Sequence, residues 1–499
     1  MFSRLLNLLA CGLTAILTIQ ANGQQAYSLK NAFEAFRSDP AVRNANWSII
    51  VADATSGTEI LSFNADKPIV PASTQKLVTT ATALRLLGHD HSYHTAIEYT
   101  GRISNDGTLT GDLYIRGSGD PSLGSARLND SLKIENVFSK WHQYILDAGI
   151  SRIDGNIISD ESIFDPEMIP RHWLWEDIGN YFGAGASGLT VNENEYTVYF
   201  NAGNSLGSPA TVVSSSPRIP GMKFINEVTT AQTGTGDQVY IFGIPYGSER
   251  RLTGTIPLNA RNFSVRGSMH DPPAYLSAGF LDFLKDNGIV VTGTSSTYRT
   301  APADGIITAE SGQPLGIWES PPLFDIIYHT NHSSVNSYAE NLLKTIGHTK
   351  SGTGSFESGL ASVSAFWGEM GANTDLSGLR DGSGLSPVNR ISASSLNEIL
   401  LMSFDHPSFG VLLNSLPLAG YSGSLAGQLH GSASEGILRA KSGFLSNVRA
   451  YAGYTIMSNG NMASFVFIVN DYQGGAAAMG QKMLRLLDAV TSHNGRPVL

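Results

Sequence analysis

Two short polar motifs that would have to meet in one site stand about 260 residues apart, and that separation constrains the fold more than any other feature of the chain. The first, Ser73-Thr-Gln-Lys76, is the only Ser-x-x-Lys in the sequence. Pro71-Ala72 leads into it, and Leu77 to Leu87 follows as an apolar run that ends at Gly88 and reads as a helix. Ser73 and Lys76 then share one helical face. A serine hydroxyl is a poor nucleophile until a base takes its proton, and a lysine with a desolvated ammonium can be that base. At a helix start Ser73 also lies beside free backbone N–H groups, which can hold developing negative charge. Taken alone, the motif also reads as an N-cap serine with an exposed lysine one turn on.

The second motif, Ser334-Val335-Asn336, opens a helical stretch over Ser337–Ile346. A third, Lys441-Ser442-Gly443, opens a β-branched and aromatic run, Phe444–Tyr454, that reads as one strand able to form a sheet edge beside the nucleophile. Gly443 would let a substrate backbone approach that edge. Short motifs have decoys. Ser62-Phe-Asn64 precedes the nucleophile and Ser492-His-Asn494 follows every lysine candidate, so order excludes both. Ser395-Leu-Asn397 lies at a helix start, where capping explains the serine. Lys350-Ser351-Gly352 sits in a Gly/Ser/Thr-rich segment, His348–Ser355, that reads as a loop with no strand after it.

Ser-x-x-Lys, Ser-x-Asn and Lys-Ser/Thr-Gly, in that order, make up the active site of the penicillin-recognising serine acyl-transfer enzymes. Longer stretches resemble one branch of them: Gly111–Pro121, Gly179–Ser187, Asp381-Gly-Ser-Gly-Leu-Ser386, Leu416–Gly420 and Leu438–Gly443. The chain resembles the D-alanyl-D-alanine carboxypeptidase/endopeptidase family, the class C low-molecular-mass penicillin-binding proteins, over nearly its whole length. Ser442 stands where that family often has threonine, and both supply a hydroxyl.

A connection of about 260 residues is too long for one compact unit to need, and a loop of that length would itself be structured. The expectation is therefore an α+β catalytic domain of the serine β-lactamase/transpeptidase kind, a sheet flanked by helices, built from residues 24–89 and 266–499. A β-rich insertion over 90–265 interrupts it; the resemblance implies two nested domains, with an inner boundary near 165–246. The front piece reads as a helix, Leu29–Phe36, and a hairpin, Trp47–Val51 and Glu59–Phe63. The back piece reads as helices from about 324 to 414, strands near 445–457 and 462–470, and a closing helix over Ala476–Val490. In the insertion, His94–Tyr99 and Thr108–Ile115 read as strands.

Met1-Phe-Ser-Arg4, an apolar core from Leu5 to Ile19 and the small residues Ala21-Asn-Gly23 read as a secretory signal peptide over residues 1–23. The expectation is export across the cytoplasmic membrane to the periplasm or cell envelope, with no transmembrane anchor left in the mature chain. The single cysteine, Cys11, falls inside this leader, so the mature chain has neither a disulfide nor a thiol nucleophile. A net charge of −10 argues against nucleic acid, which needs a basic footprint. His89-Asp-His-Ser-Tyr-His94 has no further ligand at recognisable spacing and reads as a polar loop, so neither a metal nor a cofactor is expected.

The residues and the resemblance together imply that Ser73 attacks a D-alanyl-D-alanine carbonyl and that Lys76 takes its proton. Ser334 would relay that proton to the leaving amine, and Asn336 would hold the substrate amide. Lys441, Ser442 and Gly443 complete the substrate site, with Lys441 also expected to lower the pKa of Lys76. The N–H groups of Ser73 and Phe444 would form the oxyanion hole. Peptidoglycan peptides are the implied substrates and β-lactams the implied covalent inhibitors. Two other readings stay open: a serine β-lactamase or esterase, which must deacylate fast, and a non-catalytic wall-binding protein that uses the insertions.

Overall fold

The computed structural model describes residues 28–498. The leader expected over residues 1–23, with Cys11, lies outside them. None of the helices described is long and apolar enough to cross a membrane.

Both ends of the chain build one antiparallel sheet, in the order Arg439–Leu445, Val448–Ile456, Met462–Asn470, Asn46–Asp53, Glu59–Phe63. Strand residues alternate between faces, and the two faces bury different cores. Ile50, Val466 and Ile468 meet Leu77, Val78, Leu342 and Leu396 of the helices on one side. Ile49, Val51, Phe465, Phe467 and Val469 meet Phe33, Phe36 and Met483 on the other. There Phe36 stands edge-on to Phe467 at 4.9 Å and to Trp47 at 5.1 Å; such pairs add about 0.5–1.5 kcal/mol each beyond burial. The result is helix, sheet, helix, the α+β architecture expected.

The helix after Ser73, Lys76–Leu87, lies in the middle of the first core. Its threonines are buried there because each hydroxyl finds a partner. Thr80 and Thr82 donate to the carbonyls of Lys76 and Val78 at 2.8 and 2.7 Å, and Thr82 accepts from the Trp367 indole at 2.8 Å. Polar groups in a core are tolerated only when paired in this way.

Three local expectations need correction. The run after Lys441 is two strands, Arg439–Leu445 and Val448–Ile456, folded as a hairpin about Ser446-Asn447, where Asn447 takes φ 58°. Asparagine tolerates the left-handed region that such a turn requires. The segment expected as a loop from His348 is helical to Ser351, and Gly352 at φ 73° ends the helix. The run Thr108–Ile115 is two strands, Thr108–Thr110 and Leu113–Arg116, in different sheets. Gly111 breaks it, at φ 150°, where a Cβ would stand 2.1 Å from the Thr100 carbonyl oxygen.

Between the two halves of the main sheet, strands from residues 94 to 319 form four further sheets. Gln313–Glu319 pairs with His94–Tyr99, and Ser295–Thr297 with Ile157–Asp160. The helix Pro272–Asp286 packs on the same sheets, with Phe280 against Trp141 at 5.4 Å.

Candidate active site

Ser73 occupies a 3-10 turn, Ala72–Gln75, that runs directly into the helix beginning at Lys76. Ala72 before it is fully buried at φ 47°, and Ser334 of the second motif sits at φ 58°. Non-glycine residues in that region are strained, and such strain persists only where the surroundings hold it.

Lys76 is buried to 0 % exposure and its Nζ has three partners. It donates to Ser73 Oγ at 3.1 Å, to Asn336 Oδ1 at 2.6 Å and to the Ser383 carbonyl at 2.8 Å. Burial brings its pKa down to about 7, against the pull of the Glu340 and Asp381 charges, which favour the ammonium. Near neutrality the amine therefore exists in quantity without its extra proton. Its lone pair can then accept the Ser73 hydroxyl proton over the same 3.1 Å contact.

The second lysine is arranged differently. Lys441, 1 % exposed, donates to Ser334 Oγ at 2.9 Å and to the Ser442 carbonyl at 2.7 Å. Burial, and then the neighbouring Lys76 charge, push its ammonium well below the ordinary lysine range. Repulsion between two ammonium groups is mutual, so it disfavours a charge on both lysines at once.

Asn336 opens the helix Asn336–Ser351, which lies against the nucleophile helix. Its amide is engaged at both ends, by Lys76 and by the Phe182 carbonyl, to which Nδ2 donates at 2.7 Å. Asn336 thus braces Lys76. Ser442 Oγ donates to Ser424 Oγ at 2.7 Å.

Gly443 packs against the nucleophile turn. A Cβ there would lie 2.8 Å from the Pro71 carbonyl oxygen and 3.1 Å from Ser73 N. Glycine is required by this contact with the protein's own backbone. The strand Arg439–Leu445 is a sheet edge, and Ala440 N–H points outward to the Pro417 carbonyl at 3.1 Å. By strand alternation the main-chain groups of Ser442 and Phe444 face the same open side.

Three residues of the site carried no assigned role in the sequence reading: Glu340, Asp381 and Ser383. Glu340 accepts from the N–H groups of Gly382 and Ser383, both at 2.8 Å. Burial, and then the nearby Asp381 charge, raise its pKa above the usual carboxylate range. Asp381 accepts from Gln75 at 3.0 Å, Gly384 at 2.8 Å, Ser386 at 2.6 Å, Asn389 at 2.9 Å and the Trp173 indole at 2.9 Å. Together they shape the loop whose Ser383 carbonyl holds Lys76. The available signals were Glu340, one helical turn beyond Asn336, and the segment Asp381–Ser386.

A cavity of about 120 Å³ adjoins the second motif, lined by Ser334, Asn336, Arg127, Phe182, Glu195 and Arg266 among others. Arg266 stacks on Tyr181 at 3.7 Å and pairs with Glu195 at 3.1 Å, so the walls carry both signs of charge.

Comparison with known proteins follows the same lines. The model of the D-Ala-D-Ala carboxypeptidase 3 (S13) family matches residues 29–490. A D-alanyl-D-alanine carboxypeptidase of Actinomadura sp. (strain R39) is 30% identical over 475 residues, covering 91% of this chain and 83% of that protein. The crystal structure of penicillin binding protein 4 (dacB) from Haemophilus influenzae superposes with a TM-score of 0.78 at 22% identity, over 92% of this chain and 98% of that one. The same protein complexed with a β-lactam gives a TM-score of 0.73 at 20% identity, over 92% and 98% of the two chains.

Proposed function

Because the chain belongs to the D-Ala-D-Ala carboxypeptidase 3 (S13) family and is a serine-type hydrolase, we propose that Ser73 is its nucleophile and Lys76 the base that activates it, acting on peptides that end in D-alanyl-D-alanine. The observation that carries this reading is the 3.1 Å contact between Ser73 Oγ and a wholly buried Lys76 Nζ whose pKa lies at about 7.

The reaction runs in two halves. Ser73 Oγ bonds to the carbonyl carbon of the penultimate D-alanine while its proton passes to neutral Lys76. The N–H groups of Ser73 and Phe444 hold the oxyanion, and losing one such donor typically costs about 3 kcal/mol of barrier. The C–N bond then breaks, and the proton reaches the departing D-alanine nitrogen through Ser334, whose hydroxyl is held by Lys441. Ser442, on the open edge of its strand, receives the terminal carboxylate beside Lys441. Asn336 acts first through Lys76, and a substrate amide reaches its Nδ2 only by replacing the Phe182 carbonyl. Water finally takes the acyl group from Ser73, and the peptide leaves one residue shorter.

A β-lactam presents a strained amide to the same hydroxyl, so it acylates Ser73. A β-lactamase or esterase would need a base for rapid deacylation. The two carboxylates whose charge acts on Lys76 are committed elsewhere: Glu340 to backbone N–H groups and Asp381 to five donors. That commitment favours a long-lived acyl-enzyme. The basic and apolar leader supports export to the periplasm or cell envelope, where peptidoglycan peptides lie. The chain divides accordingly into a catalytic unit from both ends and a β-rich insertion with an inner part near 165–246. The pairing of Gln313–Glu319 with His94–Tyr99 supports carrying the end of the insertion from 265 to about 319.

The test is release of D-alanine from a synthetic peptide ending in D-alanyl-D-alanine, by the wild type and by Ser73→Ala. Release by wild type alone supports the reading. Equal release by both, or none by folded wild type, contradicts it.

A further inference from the structure

We propose that Lys344 is a positioning residue of the reaction. Its buried ammonium anchors a strap over residues 165–186, whose Phe182 carbonyl holds Asn336 and, through it, the amine of Lys76. The inference rests on the reading of Ser73 and Lys76 as nucleophile and base.

The helix Asn336–Ser351 carries three polar side chains at intervals of one turn, Asn336, Glu340 and Lys344, so they fall on one stripe of its surface. Each holds a different part of the site. Asn336 engages Lys76 and the Phe182 carbonyl, and Glu340 takes the N–H groups of Gly382 and Ser383. Lys344 belongs to none of the three motifs and takes no part in the proton transfers.

An ammonium has three N–H donors, and each of these meets an oxygen of the strap. Lys344 Nζ donates to Asp165 Oδ1 at 2.6 Å, to the Glu167 carbonyl at 2.6 Å and to the Asp165 carbonyl at 3.3 Å. The rings of Phe356 and Phe164 stand 4.4 and 5.6 Å from it. The ion pair is lopsided: the Lys344 side chain is wholly buried, while that of Asp165 keeps 32 % exposure. A buried cation is costly, and methionine would fill the same apolar surroundings without the charge. What the lysine supplies is direction. Three donors aimed at three oxygens set where the strap sits along the helix, which apolar contact alone does not.

The strap is tied at further points, and most bear on the site. Next to Glu167, the Met168 carbonyl accepts from Ala186 N at 3.0 Å, which closes the strap into a loop. Between these ends, the His172 carbonyl accepts from Ser386 Oγ at 3.2 Å, and the Trp173 indole donates to Asp381 at 2.9 Å. The Phe182 carbonyl then accepts from Asn336 Nδ2 at 2.7 Å. Asn336 and Lys344 are eight positions apart, about 12 Å along the helix at its usual rise. One helix thus grips the strap at two separated points. With the Lys344 grip released, the Phe182 carbonyl shifts, and the Asn336 amide that orients Lys76 turns with it.

The test is the rate at which benzylpenicillin acylates Ser73 in the purified protein, by stopped flow with intact mass as a check. Lys344→Met leaves Asp165 able to take water, and at pH 7 it should be acylated at least about fivefold more slowly than wild type, as displaced catalytic groups require. Asp165→Asn keeps both carbonyl contacts and should lose less. A double-mutant cycle separates positioning from a merely structural role. In an Asn336→Ala background the route through Asn336 is gone, so Lys344→Met should change the rate by less than about twofold. Urea melts establish that the compared proteins are folded, and the cycle is run with Asp165→Asn should Lys344→Met fail to fold. A wild-type rate in the folded anchor variant overturns the proposal, as does the same fold-loss with and without Asn336. No acylation of the wild type at Ser73 would instead overturn the reading of the site, and the anchor with it.

Discussion

Asn336 makes the shortest of the three hydrogen bonds to the buried amine of Lys76, with Oδ1 at 2.6 Å from Nζ. A neutral acceptor at that distance orients the amine without adding a charge that would fix its proton. Asn336→Asp keeps the shape and adds the charge, so Lys76 should stay protonated at neutral pH. Acylation by benzylpenicillin should fall by about 10²-fold at pH 7, the scale of a lost general base, and recover in part at higher pH. Stopped-flow acylation across pH checks both the size and the direction.

The pH dependence of the wild type follows from the same group. Lys76 is active when neutral and its pKa is about 7, so the acylation rate should rise from acid pH and level off above neutrality. The stability contribution has its own sign. The folded pKa of about 7 lies below the ordinary 10.5, so the unfolded chain binds the extra proton between these values. The contribution of Lys76 to stability therefore rises with pH through that window. Urea midpoints for wild type and Lys76→Met should converge as pH increases from 7 towards 10.

Glu340→Gln separates charge from structure. Where Glu340 is ionised its charge favours the Lys76 ammonium, so its removal should shift the alkaline part of the pH–rate profile towards acid. Glutamine has one acceptor oxygen for the two N–H groups of Gly382 and Ser383, so about 1–3 kcal/mol of stability should be lost as well. Denaturant melts and the pH–rate profile read the two effects separately.

Gly443→Ala should slow acylation even though it adds one methyl group. Its Cβ would meet the Pro71 carbonyl oxygen at 2.8 Å and Ser73 N at 3.1 Å, so the nucleophile turn must shift. Overpacking of this kind typically costs about 1–3 kcal/mol of stability. A larger proportional loss in acylation rate than in stability would mark displacement of Ser73.

The parts of this site that could be read from sequence are those whose chemistry is local. Ser73 and Lys76 lie one turn apart, and each motif lysine or serine announces itself by spacing. The two-ended chain organisation followed from the distance between Ser73 and Ser334. The groups that set the pKa of Lys76 were not legible, because burial depends on helices from distant parts of the chain and Glu340 and Asp381 reach it only in three dimensions. The bracing of Lys76 by Asn336 was not legible either, because the Phe182 carbonyl that holds its Nδ2 comes from 154 positions away. The hairpin at Ser446-Asn447 was hidden inside a run of strand-forming residues that lacks glycine at the turn.

The most direct test of the central claim is intact mass of the purified protein after incubation with benzylpenicillin, with Ser73→Ala alongside. A single stable adduct on wild type, mapped by peptide digestion to Ser73 and missing from the variant, is the predicted result. An adduct of equal yield on Ser73→Ala would place the nucleophile elsewhere and contradict the account.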